Sequence, residues 1–283
     1  LDQGPIALLH AIRNDLLRPP AVPVRLEKPM LSHQFARTLA ALILAPLVGS
    51  AFAAEAHPHW SYRGATGPSH WGALEPEFGA CGAGREQSPI DLRDQVVQKA
   101  DLPAIQFAYQ PAPLKIIDNG HTILVNYAPG SFITVAGHRY ELVQFHFHKP
   151  SEESINGRRS DMVAHLVHKD TEGRLAVVAV LLTAGRINPM VATLWNNLPA
   201  RKETEMEVPG VQVNATDLLP DKRTYYAFAG SLTTPPCSEK VTWFVLKSPS
   251  TLSTGEIDRF GQAYPMNARP LRPLNGRVIR ASD

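Results

Sequence analysis

Four histidines share one stretch, ELVQFHFHKPSEESINGRRSDMVAHLVH, residues 141–168, and their spacing decides which of them could act together. Side chains of an extended strand alternate between its faces. In the run from Tyr140 to His148, Gln144, His146 and His148 therefore share one face, and Val143, Phe145 and Phe147 the other. In residues 161–168, Val163, His165 and Val167 share a face, and Ala164, Leu166 and His168 the opposite one. If the two runs pair antiparallel through a turn at Asn156 and Gly157, His165 joins His146 and His148, and His168 is left as a surface or structural residue. Three neutral imidazoles with an open fourth position form the donor set of catalytic Zn2+, which lowers the pKa of bound water to about 7. An H-x-H on a strand is a weak pattern alone, because two hydrogen-bonded histidines produce it as well.

The acid that follows admits a second metal reading. Glu152 comes shortly after His148 in HFHKPSE, and with the distant His165 it resembles the metal motif of cupins, where the acid is itself a ligand and the metal is often iron or manganese. Glu152 is either an oxygen ligand or an outer acceptor that orients something bound to the metal. The local residues leave both open.

The elements that must position these groups read mainly as β-strands. Alternating runs recur at HTILVNY (121–127), SFITVAG (131–137), YELVQFHFH (140–148), DMVAHLVH (161–168), RLAVVAVLL (174–182), YYAFAGSL (225–232) and KVTWFVLK (240–247), separated by Gly, Pro, Asn and Asp turn signals. Helix is confined to short pieces at 188–198 and 253–264, the second with Ser253 or Thr254 available as a cap and Glu256 just inside. From Ala54 to Leu92 the chain is rich in Gly, Pro, Trp and Ser and reads as irregular structure packed by Trp60, Tyr62 and Trp71. No repeat or linker divides this part, which predicts one β-dominated domain.

A chain of 283 residues, 44% hydrophobic, can bury a large core. Its net charge of +2, with no purely basic block, argues against nucleic acid as a partner. HQFARTLAALILAPLVGSAFAAEA places Arg37 before an apolar run from Leu39 to Val48 and offers Ala51, Phe52 and Ala53 as a cleavage signature, so residues 30–53 read as a signal peptide. The run is about half what a membrane-spanning helix needs, which argues against a stable anchor. Residues 1–29 read as an upstream extension with Met30 as the natural start, and 54–283 as the catalytic domain, periplasmic or secreted. Cys81 and Cys237 suggest one disulfide in an exported chain, worth roughly 2–4 kcal/mol. The segment LRPLNGRVIR (271–280) reads as solvated or salt-linked.

With the rest of the chain in view, the sequence resembles the alpha-class carbonic anhydrases in a bacterial exported form. The resemblance is carried by WSYRGATGPSHWGAL (60–74), CGAGREQSPIDL (81–92), DNGHTILVNY (118–127), QFHFHKPSEE (144–153), AHLVHKD (164–170), LAVVAVLL (175–182), GSLTTPPCSEKVTWFVLK (230–247) and NARPLRPLNGR (267–277). It covers most of 54–283, and the ordered set of HFH, a third His and SLTTPPCSE is specific. The fold it implies is a mainly β single domain around a central mixed, mostly antiparallel sheet of about ten strands with short peripheral helices.

The activity implied is reversible hydration of carbon dioxide to bicarbonate and a proton. His146, His148 and His165 would hold Zn2+, zinc-bound hydroxide would be the nucleophile, and no organic cofactor is required. Thr233 matches the threonine that donates to Glu152 and accepts from that hydroxide, and Thr234 its neighbour that contacts bicarbonate. Val167, Val177, Leu232 and Trp243 match the apolar wall that holds carbon dioxide, Trp243 packing as much as touching substrate. His121 matches the proton shuttle that passes protons to buffer, a task suited to an imidazole of ordinary pKa about 6.5. Gln144 and Asn267 match the partners of the first and second ligands, and Cys81 and Cys237 the family disulfide. Sulfonamide and anion inhibitors are implied as ligands, and a homodimer is compatible. A catalytically silent binding protein of this family is the alternative, with a cupin-type metalloenzyme behind it.

The chain departs from the pattern at one place. The third ligand of the family is commonly backed by a Glu two residues earlier, where this chain has Val163, with Asp161 farther back on the same face. A lost partner of this kind can cost 10- to 100-fold in metal affinity or activity. Water or a backbone carbonyl is the substitute to look for.

Overall fold

The computed structural model describes residues 59–283. The leader read at 30–53 and the extension at 1–29 lie outside the described residues.

The sheet has thirteen strands, ten of them on one continuous path. Along that path run Met206–Val213, Ala112–Asp118, Ile123–Asn126, His138–His148, Met162–Lys169, Leu175–Ala184, Glu239–Leu246, Tyr225–Ser231, Arg280–Ala281 and Gln98–Lys99. Pairing is antiparallel except where Leu175–Ala184 meets Glu239–Leu246 and Ser250–Leu252, and where Arg280–Ala281 meets Gln98–Lys99. The mixed, mostly antiparallel sheet is therefore as expected. The strands missed in the sequence include Ala112–Asp118 and Met206–Val213, each of which contains a proline that weakens a strand signal.

Two apolar clusters cover the sheet's faces. Phe145, Phe147, Ala164, Leu166 and Val178 belong to the larger one, together with Trp195 and Phe260 of the helices Pro189–Asn196 and Thr254–Ala263. Val163, Val167, Val177, Ala179 and Trp243 belong to the other. Side-chain alternation thus separates the packing face from the histidine face as read from sequence, with one correction. The pairing of Val167 with Gln144 is followed by His168 with Leu142, so the ladder skips Val143. This irregularity puts Leu142 into the core and leaves Val143 at 38% exposure.

The expected turn at Asn156 and Gly157 exists, with positive φ at both, but it does not join the two histidine strands directly. It closes a small hairpin, Ser154–Ile155 with Arg158–Arg159, that pairs with Asp91–Leu92 in a separate sheet. The chain from His148 to Met162 therefore makes an excursion before returning to the main sheet. Residues 60–92 hold short helical turns, Trp71–Leu74 and Gly79–Ala83 among them, and Trp71 is buried against Cys81 and Cys237 with Trp60 and Tyr62 packed beside it.

Candidate functional site

Strand register brings the histidines together. His165 is the direct cross-strand partner of His146, and Val163 that of His148. Because all three imidazoles lie on one face, their ligating nitrogens converge to within 4.8 Å of one another. This converging set is made of three imidazoles, and no carboxylate joins it among the described residues. Glu152 stands next to it, with Oε2 3.5 Å from His148 Nε2 and 3.9 Å from His165 Nδ1.

The outer partners fix which nitrogen of each ring faces inward. His148 Nδ1 is 2.7 Å from the Asn267 backbone carbonyl, which can only accept, so Nδ1 carries the proton and Nε2 offers its lone pair to the cluster. His146 Nδ1 meets Gln144 Oε1 at 2.8 Å and is oriented in the same way. His165 is turned the other way, with Nε2 3.1 and 3.2 Å from the two Glu153 oxygens and Nδ1 facing the cluster. His148 Nε2 and Glu152 Oε2 are buried with no protein hydrogen-bond partner. A divalent cation with nitrogen ligands fits this set, because three oriented neutral imidazoles satisfy it and the orphaned His148 nitrogen gains a bond.

Electrostatics keep two of the three rings neutral and draw positive charge to the third. Burial first, then His165, pushes His146 down to about 3, and burial holds His148 well below its ordinary value. At His165 burial works downward but is outweighed by the charge and hydrogen bond of Glu153 and the charge of Glu152, so its pKa is raised. Burial lifts Glu152 to about 7, with His165 opposing that rise and Glu153 adding to it.

Of the residues assigned by resemblance, Gln144 touches the His146 ring through its side chain and Asn267 the His148 ring through its backbone carbonyl. The Asn267 side chain does more than was read from sequence: Oδ1 accepts from Lys149 N, and Nδ2 donates to the carbonyls of His121 and Phe147. Thr233 is buried beside Glu152, and its hydroxyl is among the groups that lower that carboxyl's pKa. Thr234 caps a tight turn by accepting from Cys237 N at 2.8 Å. Val167 pairs with Val177 across one ladder and Val177 with Trp243 across the next, and Leu232 packs on the same cluster. Trp243 is 1% exposed, lies edge-on 5.0 Å from the His165 ring and donates to Ser231 O, so packing is its main contact. The Cys81–Cys237 disulfide is formed.

His121 differs from the free imidazole expected at a cleft mouth. An Asx turn from Asn119 sets its backbone, and its ring lies 3.5 Å from that of Trp60, with the planes 9° apart, close to His59 as well. Burial, then the charges of His59 and Lys202, lowers its pKa to about 4, so in this position the ring is neutral at neutral pH. Of the two places open to His168, surface or structural, it takes the second: it is buried and bonds the Tyr109 hydroxyl at 2.8 Å. Asp161 does not reach His165; it accepts from Ala184 N.

Three supporting residues escaped the sequence reading. Glu153 lies outside any alternating run, so nothing in the sequence gives it a direction. Gln87 and Arg269 were missed because their types read as surface. Arg269 is 1% exposed and donates to Gln87 Oε1, Ser88 O and Cys81 O, and its backbone N–H donates to Glu152 Oε1 at 2.7 Å. Nor is the segment 271–280 simply solvated, since Arg277 donates to the carbonyls of Leu274, Ala229, Gln87 and Pro273.

Comparison with known proteins gives a consistent result. Residues 66–283 match the family described as eukaryotic-type carbonic anhydrase. The chain is 42% identical to a carbonic anhydrase of Neisseria gonorrhoeae over 257 residues, covering 89% of this chain and 99% of that one. It is also 42% identical to a carbonic anhydrase of Nostoc sp. strain PCC 7120 over 224 residues, covering 78% of this chain and 85% of that one. Among solved structures, the alpha-carbonic anhydrase from Thermovibrio ammonificans in complex with the inhibitor sulfanilamide superposes with a TM-score of 0.76 at 38% identity, covering 78% of this chain and 98% of that one.

Proposed function

From the premise that the chain belongs to the eukaryotic-type, or alpha, carbonic anhydrase family, we propose that His146, His148 and His165 hold Zn2+ and that the protein hydrates carbon dioxide reversibly to bicarbonate and a proton. The observation that carries the proposal is the convergence of three outward-braced imidazoles, each turning one unprotonated nitrogen to a common point. Zinc supplies Lewis acidity that makes hydroxide available from water near neutral pH.

The chain's own groups do the rest. Glu152 accepts from Arg269 N through Oε1, which leaves Oε2 as the acceptor for the Thr233 hydroxyl. Thr233, having donated its proton, can only accept from the nucleophile, so the nucleophile's lone pair is aimed at substrate and an anion lacking a proton is disfavoured. In this role Glu152 is an orienting acceptor and not a ligand. Val167, Val177 and Leu232 form an apolar wall for carbon dioxide, which has no charge to anchor, and Thr234 contacts bicarbonate. His121 passes the proton to buffer after leaving its stack on Trp60, since the stacked ring does not carry a proton at neutral pH.

Residues 30–53 act as an export signal that delivers a catalytic domain of residues 54–283 to the periplasm or outside the cell, where the disulfide persists. Sulfonamides bind the same metal. Metal analysis with stopped-flow carbon dioxide hydration, on the wild type and His165→Ala, tests the reading. The wild type should carry one zinc and hydrate carbon dioxide, and the variant should lose both. A zinc-loaded wild type without hydration activity overturns the proposal.

A further inference from the structure

Val163 occupies the strand position from which an acid would face His165, two residues back on the same side, yet it is fully buried in an apolar cluster with Ile90 and Leu92. His165 is nevertheless braced by a carboxylate. Both oxygens of Glu153 lie within 3.2 Å of its Nε2, and Glu153 is itself 0% exposed. We propose that Glu153 is the positioning residue of the third zinc ligand, supplying from the loop after His148 the carboxylate that the Met162–Lys169 strand lacks. The inference rests on the zinc reading above.

An ionised carboxylate only accepts, so Nε2 must donate and Nδ1 keeps its lone pair for the metal. Without Glu153 the Nε2–H would be left without an acceptor in a buried site, and nothing would oppose the tautomer that turns an N–H toward the metal. A charged acceptor also makes the imidazole a stronger donor to the metal than a neutral one does.

The loop is built to hold this carboxylate in place. Ser151 Oγ donates to the Glu153 carbonyl at 2.8 Å and accepts from Ser160 N at 2.9 Å, while Ser151 N donates to Ser160 O. On the other side, Ser154 Oγ donates to Asp91 Oδ1 at 2.6 Å, and Ser154 N to Ile90 O. The backbone is thus fixed both before and after Glu153. The preceding residue, Glu152, uses the same anchorage to reach the opposite side of the ring, 3.9 Å from Nδ1. Of the two consecutive acids on this pinned loop, Glu153 holds the outer nitrogen of His165 while Glu152 stands beside the cluster, and position 163 is released to the apolar cluster.

The test compares wild type, Glu153→Gln, Glu153→Ala and the relocated-acid variant Glu153→Ala/Val163→Glu. Zinc affinity is measured by competition with a chelator, the cobalt(II) visible spectrum reports ligand geometry, and metal-free melting reports fold. Zinc should bind about 10- to 100-fold more weakly to Glu153→Ala, and less weakened to Glu153→Gln, which keeps an acceptor oxygen. The cobalt spectrum should change in Glu153→Ala, and the double variant should recover affinity and spectrum in part. A purely structural Glu153 would lower the metal-free melting temperature and leave zinc affinity and the cobalt spectrum unmoved; that result overturns the proposal, as does a folded double variant with no recovery. If Glu153→Ala does not fold, the near-isosteric Glu153→Gln decides, unchanged affinity and spectrum again overturning it. A wild type that binds no zinc removes the metal reading too, whereas equal binding by wild type and variants removes only the role of Glu153.

Discussion

In the proposed mechanism, Thr233 and Glu152 act through single hydrogen-bonding atoms. If the Thr233 hydroxyl aims the nucleophile, Thr233→Ala should lower kcat/KM for hydration by about 100-fold through misorientation alone, while zinc content stays at the wild-type level. Stopped-flow rates read beside metal analysis check this, and an unchanged rate removes Thr233 from the mechanism. His121 makes a prediction about pH. Its folded pKa of about 4 lies below the ordinary 6.5, so the unfolded chain takes up a proton that the folded chain refuses as pH falls through that window. The neutral ring's contribution to stability is complete above about 6.5 and is lost progressively toward about 4. His121→Phe keeps an aromatic ring against Trp60 but cannot titrate, so its melting temperature should fall less than the wild type's between about pH 7 and about pH 5. Equal falls would mean that the stacked ring does not titrate as described.

At the scale of elements, the strands carry the three converging imidazoles and the helices brace the sheet's other face. The Thr254–Ala263 helix is closed by a capping box between Ser253 and Glu256. Glu256 is buried and also accepts from Asn188 N, at the cap of the Pro189–Asn196 helix, so one carboxylate ties two helix starts together. Glu256→Ala should cost about 1–3 kcal/mol by leaving those buried donors unpaired, with zinc content and hydration unchanged in the folded protein. Denaturant unfolding measures the first and metal analysis the second. A large loss of zinc would show that this helix pair supports the site as well as the sheet. The same separation of roles appears in the His138–His148 strand, whose irregularity at Val143 leaves Gln144, His146 and His148 in phase on the site face.

Over the whole molecule, the Cys81–Cys237 bridge joins positions 156 residues apart and lands just after the Thr233–Thr234 turn. Arg269 extends the connection, since it donates to the Cys81 carbonyl by side chain and to Glu152 by backbone. Reduction should remove about 2–4 kcal/mol of stability, a fall in melting temperature of roughly 4–16 °C for a domain of this size. Hydration should decline when the loop relaxes. Melting and rates compared in oxidised and reduced protein check both, and unchanged values in a sample with two titratable thiols would reject the bridge.

Strand parity in the sequence put His146 with His148 and His165 on the face opposite His168, because alternation is a local rule that holds once a strand forms, while the pairing register brought His165 to His146. The SLTTPPCSE and NGH segments likewise carried their resemblance in the letters themselves. Parity could not say what holds His165. Val163 lies on the correct face and carries no acceptor, while Glu153 belongs to no long strand and acquires a direction only when its loop is pinned against Asp91 and Ser160. For the same reason the sequence left His121 exposed, since Trp60 reaches it only when distant segments pack. Arg269 escaped notice because burying a guanidinium requires several acceptors from different parts of the chain, and only the folded molecule assembles them. Local periodicity showed which side chains could share a face, and long-range packing decided which of their nitrogens turn inward and how they are charged.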